Sequence, residues 1–310
     1  MTLNSLLYYR SQLDEHDQNI YDALFQHWMK LEDDFIIDMP HCPLATLTQA
    51  VHWDNPILFY IDYYKITYSK TTDTIRVKGG YLYGKDDIRR YLDKCEQWGQ
   101  YIMQKMPAVG INERALWLHD VIIANVRYGK SNGINAHNVV GVINDGEAVC
   151  EGISKTYKYL CDLAGIPCIY VSGFLEGTPH GWNMLWIGGG TSFVDVTNDI
   201  RNGGGYDRNH FLRSSAEMKG YTWNETLIPE CNIRNFSNAF FTVRNRKELL
   251  GTIRRNADKD SLSISLQFRN TLDSTQIELL VYYCSLLHPA LSRRKISYSI
   301  EQQMLYIRKQ

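Results

Sequence analysis

One segment constrains the fold more than any other, because a helix pattern leads directly into a series of short strands. Four apolar residues recur at helical spacing: Ile153, Tyr157, Leu160 and Ala164. Gly165 follows, at the position where a glycine commonly ends a helix. The next residues are rich in β-branched and aromatic types and predict strands at 166–174, 181–187 and 192–196. The last two strands flank a triple-glycine turn, so the segment predicts a helix packed on an antiparallel sheet.

The remaining patterns divide the chain into three predicted units. Residues 1–108 predict a helix from Ser11 to about Lys30, a hairpin with strands at 57–68 and 74–77, and a helix from Lys85 to Met106. Residues 109–235 begin with a predicted helix at 112–125, followed by a polar loop at 128–145. Residues 236–310 predict a small α/β unit with helices at 246–255 and 274–287, strands at 240–243 and 261–268, and two short C-terminal strands.

Composition excludes several classes of protein. The 33 Lys and Arg against 34 Asp and Glu leave a net charge of -1, which disfavours a general nucleic-acid binder. The 21 tyrosines bring the aromatic share to 12%, and such residues fill cores or line grooves that hold extended chains. The N-terminus has no signal pattern and no stretch approaches ~18 uninterrupted apolar residues, so no membrane span is expected. A cytoplasmic location is predicted, or a secreted or surface location if a signal segment has been removed.

Seven cysteines occur without a CxxC pair, which excludes a readable zinc ribbon or disulfide framework. They are predicted to be mostly free thiols, as in a reducing compartment. His119 and His137 precede Cys150, but their spacing proposes no set of three or four convergent zinc ligands. No metal and no cofactor is therefore predicted.

Cys150 begins the helix that constrains the fold, so its thiol lies at a helix N-terminus. Unpaired N–H groups at that end, together with a neighbouring imidazolium, favour the thiolate form that acts as a nucleophile. A lone cysteine is more often a small buried hydrophobe. The interpretation therefore depends on whether a histidine and a carboxylate lie nearby.

His180 and Asp195 are the partners that the hairpin geometry brings together. If the triple-glycine turn closes a two-residue loop, residues 187 and 190 pair and residue 180 faces residue 197. Asp195 then lies diagonally beside His180 on the same face of the sheet. Taken alone, His180 has the alternative of a structural histidine, and Asp195 has the alternative of a surface carboxylate. Jointly, they supply the base and the orienting acid of covalent catalysis.

Four blocks within about 112–231 also carry a family resemblance: Val149-Cys150-Glu-Gly, Leu163-Ala-Gly165-Ile-Pro with Val171-Ser-Gly173, His180-Gly-Trp-Asn183, and Val194-Asp195-Val-Thr197. In this order and spacing they resemble the bacterial transglutaminase-like superfamily, whose fold is related to papain-like cysteine proteases. The resemblance implies an α+β core with a helix-borne cysteine on an antiparallel sheet, flanked by an N-terminal α+β unit and a small C-terminal α/β unit. It also implies that Cys150, His180 and Asp195 form a catalytic triad.

Two further residues are candidates for the substrate site. The tetrahedral oxyanion of amide chemistry needs donors, for which we expect the Cys150 backbone N–H and the Tyr128 side chain. Trp182, two residues after His180, is a candidate wall of the cleft, with core packing as its alternative.

The predicted function is thiol-dependent amide-bond chemistry on a peptide or protein substrate, through a thioester. The family resemblance leaves acyl transfer, proteolysis and amidase activity open, and it includes inactive interaction domains. The loop before Cys150 is polar and resembles the rim of a wet groove, which favours hydrolysis over transamidation. The alternative is a binding module without catalytic activity; because such a module needs none of the three triad residues, their joint presence favours an enzyme.

Overall fold

The computed structural model describes residues 6–108, 110–130, 133–187, 190–200 and 208–231, and four strands at 240–243, 263–268, 296–301 and 304–309. The N-terminal part contains α1 (Tyr8–Ser11), α2 (Glu15–Met29), β1 (Asp34–Asp38), α3 (Leu44–Asp54), β2 (Thr67–Lys70), β3 (Thr74–Lys78) and α4 (Lys85–Lys105). Its strands form an antiparallel sheet in the order β1-β3-β2. Asp14 starts α2 as expected of a helix cap, because its side chain accepts a hydrogen bond from the Asp17 backbone N–H at 2.9 Å.

The predicted N-terminal hairpin differs from the structure in its first strand. Only β2 forms a strand there, and Pro56–Leu58 is a 3-10 turn instead. The physical reason is burial: Leu58, Phe59 and Tyr60 are consecutive and all buried, whereas a strand with one exposed face buries alternate residues. The sequence pattern also predicts neither β1 nor α3.

The next part of the chain contains α5 (Ile111–Asn125), β4 (Arg127–Tyr128), β5 (Glu147–Ala148), α6 (Cys150–Leu163), β6 (Cys168–Leu175), β7 (Thr178–Ile187), β8 (Gly190–Val194), β9 (Phe211–Arg213) and β10 (Tyr221–Trp223). Strands β6 to β10 form an antiparallel sheet in the order β10-β6-β7-β8-β9. Ile187 pairs with Gly190, which is the register predicted for a two-residue loop. The short edge strands β9 and β10 are not predicted by the sequence pattern.

Helix α6 is buried along most of its length and packs against elements from both the N-terminal part and the five-stranded sheet. It contacts β6 and β7 on the sheet, α4 and α5 among the helices, and the Pro56–Leu58 turn. Gly165 has φ +66° just beyond the helix, the left-handed conformation that the sequence predicts for its end. Buried apolar side chains from Tyr9 to Cys231 form one continuous core. The predicted unit boundaries at residues 108 and 235 stay predictions.

The C-terminal part contains a second sheet. It is built from β11 (Phe240–Val243), β12 (Ser263–Phe268), β13 (Ile296–Glu301) and β14 (Met304–Lys309), in the order β11-β12-β14-β13. The β11–β12 pair is parallel and the other pairs are antiparallel. The two helices predicted for this unit, at 246–255 and 274–287, lie outside the described residues.

The predicted fold class is confirmed: helices and antiparallel strands mix along the chain, and a helix that begins at a cysteine packs on the five-stranded sheet. None of the helices within the described ranges is long and apolar enough to cross a membrane.

Candidate active site

Cys150 is the first residue of α6 and is half-buried. Val149, the residue before it, is extended, and among the described residues no side chain caps this end of the helix. The first N–H groups of α6 therefore have no side-chain acceptor and lie beside the Cys150 thiol, where the helix dipole favours negative charge. The Val149 backbone N–H donates to the Ala136 carbonyl at 3.0 Å, which fixes the chain entering the helix.

Gly152 allows the preceding loop to approach the start of α6. A Cβ atom at this position would lie 2.4 Å from the Ala136 carbonyl oxygen and 2.9 Å from that of Asn138. Both are backbone atoms of the loop that leads to Cys150, so neither moves without displacing the chain around the thiol. The steric contact with this loop therefore explains why position 152 of the Cys150-Glu-Gly152 block is a glycine.

We expect Gly152→Ala to lower the free energy of unfolding by about 3 kcal/mol, because overpacking against backbone atoms cannot be relieved by a side-chain rotation. The measurement is urea unfolding monitored by tryptophan fluorescence. Gly84→Ala is the matched control, since its Cβ would meet nothing closer than Asp87 at 4.0 Å, and a change of at most about 1 kcal/mol is expected there. Equal losses for the two variants would contradict the steric role of Gly152.

His180 lies on β7, where its ring contacts Asp195 and is influenced by Cys150. Its Nε2 atom is 2.7 Å from Asp195 Oδ2, and the Cys150 side chain is near enough to raise the pKa of the imidazole. Burial lowers the pKa of His180, but the hydrogen bond to Asp195 and the interactions with the Asp195 and Cys150 side chains outweigh it, so that the pKa rises to about 10. The imidazolium is therefore the favoured form of His180 at neutral pH.

Two buried side chains fix the helix that carries Cys150 against the strand that carries His180. Ser154 Oγ donates to the Gly181 carbonyl at 2.8 Å, directly after His180. Asn183 Nδ2 donates to the Ser154 carbonyl at 3.0 Å and to the Ile169 carbonyl at 3.2 Å. Both side chains are fully buried, so these hydrogen bonds hold α6 and β7 in one relative position without competition from water.

Asp195 follows β8 and is completely buried. Its Oδ2 atom accepts from His180, from the Tyr221 hydroxyl at 2.7 Å and from Asn198 Nδ2 at 3.0 Å. Its Oδ1 atom accepts from the Asn198 backbone N–H at 3.1 Å. These donors replace the water that a buried carboxylate loses. Tyr221 and Asn198 are residues of the site that the sequence analysis missed.

The two other predicted site residues lie in different surroundings. Tyr128 is 53% exposed on β4, and partial burial followed by the charges of Cys150 and Asp195 raises its pKa, which places it in the electrostatic field of the pair. Trp182 is fully buried, stacks against the His180 ring at 5.9 Å, and has Tyr221 and Trp223 at its edges. This placement corresponds to core packing, the alternative stated for Trp182.

A group of charged residues beside Cys150 was also not predicted. Glu151 accepts from Lys155 at 2.6 Å and lies 3.1 Å from His137, while Lys155 donates to His52 of α3 at 2.6 Å. Burial, helped by the nearby Lys155 ammonium, lowers the pKa of His52 to about 4. His52 is therefore a neutral acceptor at pH 7, and it connects the N-terminal part to the first turns of α6.

His119, which the sequence analysis considered as a zinc ligand, has an environment that differs from that of a metal site. It is fully buried and lies between Asp120 and Asp199, each at 3.0 Å. His137 contacts Glu151 instead, so the structure does not bring these two histidines to one centre. Among the described residues, the one group with metal-ligand spacing is Asp14, Asp17 and His41. Those carboxylates already accept backbone N–H groups at the start of α2 and at residues 41 and 42.

A family model matches the part of the chain that contains the three predicted triad residues. Residues 96–198 match the family model of the Transglutaminase-like superfamily, a range that runs from α4 to the turn after Asp195 and contains Cys150, His180 and Asp195. The predicted resemblance to the transglutaminase-like superfamily is confirmed for residues 96–198. A search of curated proteins found no match.

Three solved structures are similar to the chain at low sequence identity. A TGase is 13% identical with a TM-score of 0.34 over 58% of this chain and 52% of its own, so the chain spans about half of that protein. A candidate cysteine protease from Cytophaga hutchinsonii is 13% identical with a TM-score of 0.32, covering 65% of this chain and 73% of its own. A candidate protease from Parabacteroides distasonis is 7% identical with a TM-score of 0.29, covering 78% of this chain and 60% of its own.

Proposed function

We propose that the chain is a thiol-dependent hydrolase of amide bonds in peptide or protein substrates, with Cys150, His180 and Asp195 as its catalytic triad. One observation carries the proposal: the His180 ring hydrogen-bonds the buried Asp195 carboxylate and interacts electrostatically with the Cys150 thiol, which lies at the uncapped start of a buried helix. The match to the transglutaminase-like superfamily supports thiol-dependent chemistry in general.

The proposed reaction begins with attack of the Cys150 thiolate on the substrate carbonyl carbon. A C–S bond forms, and the oxyanion accepts hydrogen bonds from the N–H groups at the start of α6, with Tyr128 as a candidate further donor. The His180 imidazolium then gives its proton to the leaving nitrogen, the C–N bond breaks, and a thioester and a free amine result. Asp195 holds the His180 ring in the orientation for this transfer.

Water completes the cycle. His180, now neutral, accepts a proton from the attacking water, a C–O bond forms, and the C–S bond breaks to release a carboxylic acid and the Cys150 thiolate. The surroundings of Cys150 support water rather than an amine as acceptor, because Glu151, His137 and Tyr128 are partly exposed polar groups. A transamidase must shield its thioester from water, for which apolar walls are suited.

The proposal predicts hydrolysis products even when an amine competes. The experiment incubates the full chain with a mixed peptide library and excess of a primary amine, and identifies products by mass spectrometry. Free acids should predominate over amine adducts by at least about tenfold, since water has free access to the thioester. Predominant adducts would replace hydrolysis by acyl transfer, and no products with either acceptor would favour a binding module.

A further inference from the structure

We propose that Tyr221, together with Asn198, is a positioning pair for Asp195, which holds the carboxylate in the one orientation that serves His180. The inference rests on the proposed function, because it concerns how the same triad is kept in its active geometry. Neither residue belongs to the four blocks that carry the family resemblance, and Tyr221 lies beyond the matched range of 96–198.

The three side chains form a closed ring of hydrogen bonds. The Tyr221 hydroxyl donates its single proton to Asp195 Oδ2. Asn198 Nδ2 has two protons, of which one reaches Asp195 Oδ2 and the other the Tyr221 oxygen. The Asn198 backbone N–H binds the other carboxylate oxygen, Oδ1. With both oxygens held, the carboxylate cannot turn about its Cβ–Cγ bond.

The two residues come from different parts of the chain, so the ring of hydrogen bonds fixes Asp195 relative to both parts. Asn198 lies in the 3-10 turn Thr197–Asp199 directly after Asp195, so it supports the carboxylate from its own segment. Tyr221 lies on β10 at the far edge of the sheet, next to β6, and both β6 and β7 lie between it and β8. Its ring also meets the His180 ring edge-on at 5.9 Å and the Trp182 ring at 5.2 Å. Tyr221 therefore contacts both members of the His180–Asp195 pair.

The hydroxyl can be tested apart from the ring. Tyr221→Phe keeps the ring contacts with His180 and Trp182 and removes only the hydroxyl, which donates to Asp195 and accepts from Asn198. Tyr159→Phe is the matched control, since the buried Tyr159 hydroxyl donates to the Cys95 carbonyl at 2.9 Å and has no contact with the triad among the described residues. Comparable losses of stability in the two variants, measured by urea unfolding, separate positioning from general destabilisation.

The readout is the pH dependence of Cys150 alkylation by iodoacetamide, which needs no substrate. The titratable groups around the Cys150–His180 pair are Asp195 and the hydroxyls of Tyr128, Tyr170 and Tyr221, while Glu151 acts on Tyr170 and Asp199 acts on Tyr221. The Tyr221→Phe variant removes one of these hydroxyls, and the Asp195 carboxylate is then held less firmly against the His180 imidazolium. We expect the Cys150 rate at pH 6 to fall about tenfold, the size expected for one lost hydrogen bond to a charged group, and Tyr159→Phe to retain the wild-type rate.

The outcomes distinguish this inference from the proposed function. Selective wild-type labelling at pH 6 that falls in Tyr221→Phe but not in Tyr159→Phe would support the positioning role. Selective wild-type labelling with an identical profile in Tyr221→Phe would overturn the positioning role alone. Absence of selective labelling in the wild type would overturn the proposed function and this inference with it.

Discussion

Replacing Cys150 by alanine is expected to lower amide turnover by at least about 1,000-fold and to remove the fast alkylation at pH 6, with the fold intact. In the proposed reaction the Cys150 sulfur is the one atom of the site that bonds covalently to the substrate, so no neighbouring group would replace it. The start of α6 should survive the change, because Gly152 and Ser154 hold it through packing and a hydrogen bond that do not involve the sulfur.

The labelling part of this prediction has an internal control. Cys42 is the other half-buried thiol among the described cysteines, and burial together with the Asp17 carboxylate raises its pKa to about 12. Its thiolate fraction at pH 6 is then on the order of one in a million. Cys150 faces an imidazolium instead, so we expect it to react at least about 100-fold faster than Cys42.

The measurement is iodoacetamide labelling at pH 6 followed by peptide mass spectrometry, which assigns each modified cysteine, including Cys284 outside the described residues. Cys42→Ala should leave the labelling rate of Cys150 unchanged. Equal total labelling rates in wild type and Cys150→Ala would mean that the reactive thiol lies elsewhere, and the proposed nucleophile would be wrong.

The positions of the three proposed triad residues were predictable because each is tied to a local pattern. The helical spacing from Ile153 onwards and Gly165 define α6, and that places Cys150 at the helix start. The triple-glycine turn fixes the register of β7 and β8, and register determines which side chains are neighbours. Short-range chain geometry therefore suffices to bring His180 next to Asp195.

Tyr221 and His52 were not predictable in this way, because they reach the site through contacts between segments distant in sequence. Tyr221 is on a three-residue edge strand, too short to show a period. His52 meets Lys155 across 103 residues of sequence, where neither helix pattern indicates a partner. Asn198 differs, since it follows Asp195 by three residues, the spacing at which an Asp side chain commonly accepts a backbone N–H. That three-residue spacing was the feature of the sequence from which Asn198 could have been predicted.

The N-terminal part is an integral support of the candidate site. Besides the His52–Lys155 contact, α3 supplies Asp54, a buried carboxylate whose Oδ1 and Oδ2 accept from the backbone N–H groups of Tyr9 and Arg10. The Tyr9 hydroxyl in turn donates to the Tyr170 carbonyl on β6. This chain of contacts joins the first helix to the sheet that carries His180, consistent with the single continuous core.

Asp195→Asn is expected to lower turnover by about 1,000-fold, although the two side chains have the same shape. Each described partner of the Asp195 carboxylate is a donor: His180, Tyr221 and Asn198. An amide NH₂ group would face at least one of these donors without an acceptor, and the negative charge that stabilises the imidazolium would be gone. The pKa of His180 should therefore fall from about 10 toward its ordinary value.

The sign of the pH dependence follows from that fall. In the wild type the folded-state pKa of His180 lies above its unfolded value, so the stabilisation by Asp195 is fully present below about pH 6.5 and is lost as the pH rises through about 10. In Asp195→Asn this stabilisation is absent. Alkylation of Cys150 at pH 6 should then be slow, and the rate should rise only at higher pH.

The alkylation profile from pH 5 to pH 9 measures this shift directly, and Asp54→Asn serves as the control. It also removes a buried carboxylate that accepts backbone N–H groups, but one on α3 rather than beside His180. Asp54→Asn should lose stability and keep the wild-type profile, whereas Asp195→Asn should move the profile upward by more than about one pH unit. A wild-type profile in Asp195→Asn would show that Cys150 and His180 form their ion pair without the carboxylate, and a Cys-His dyad would then replace the triad.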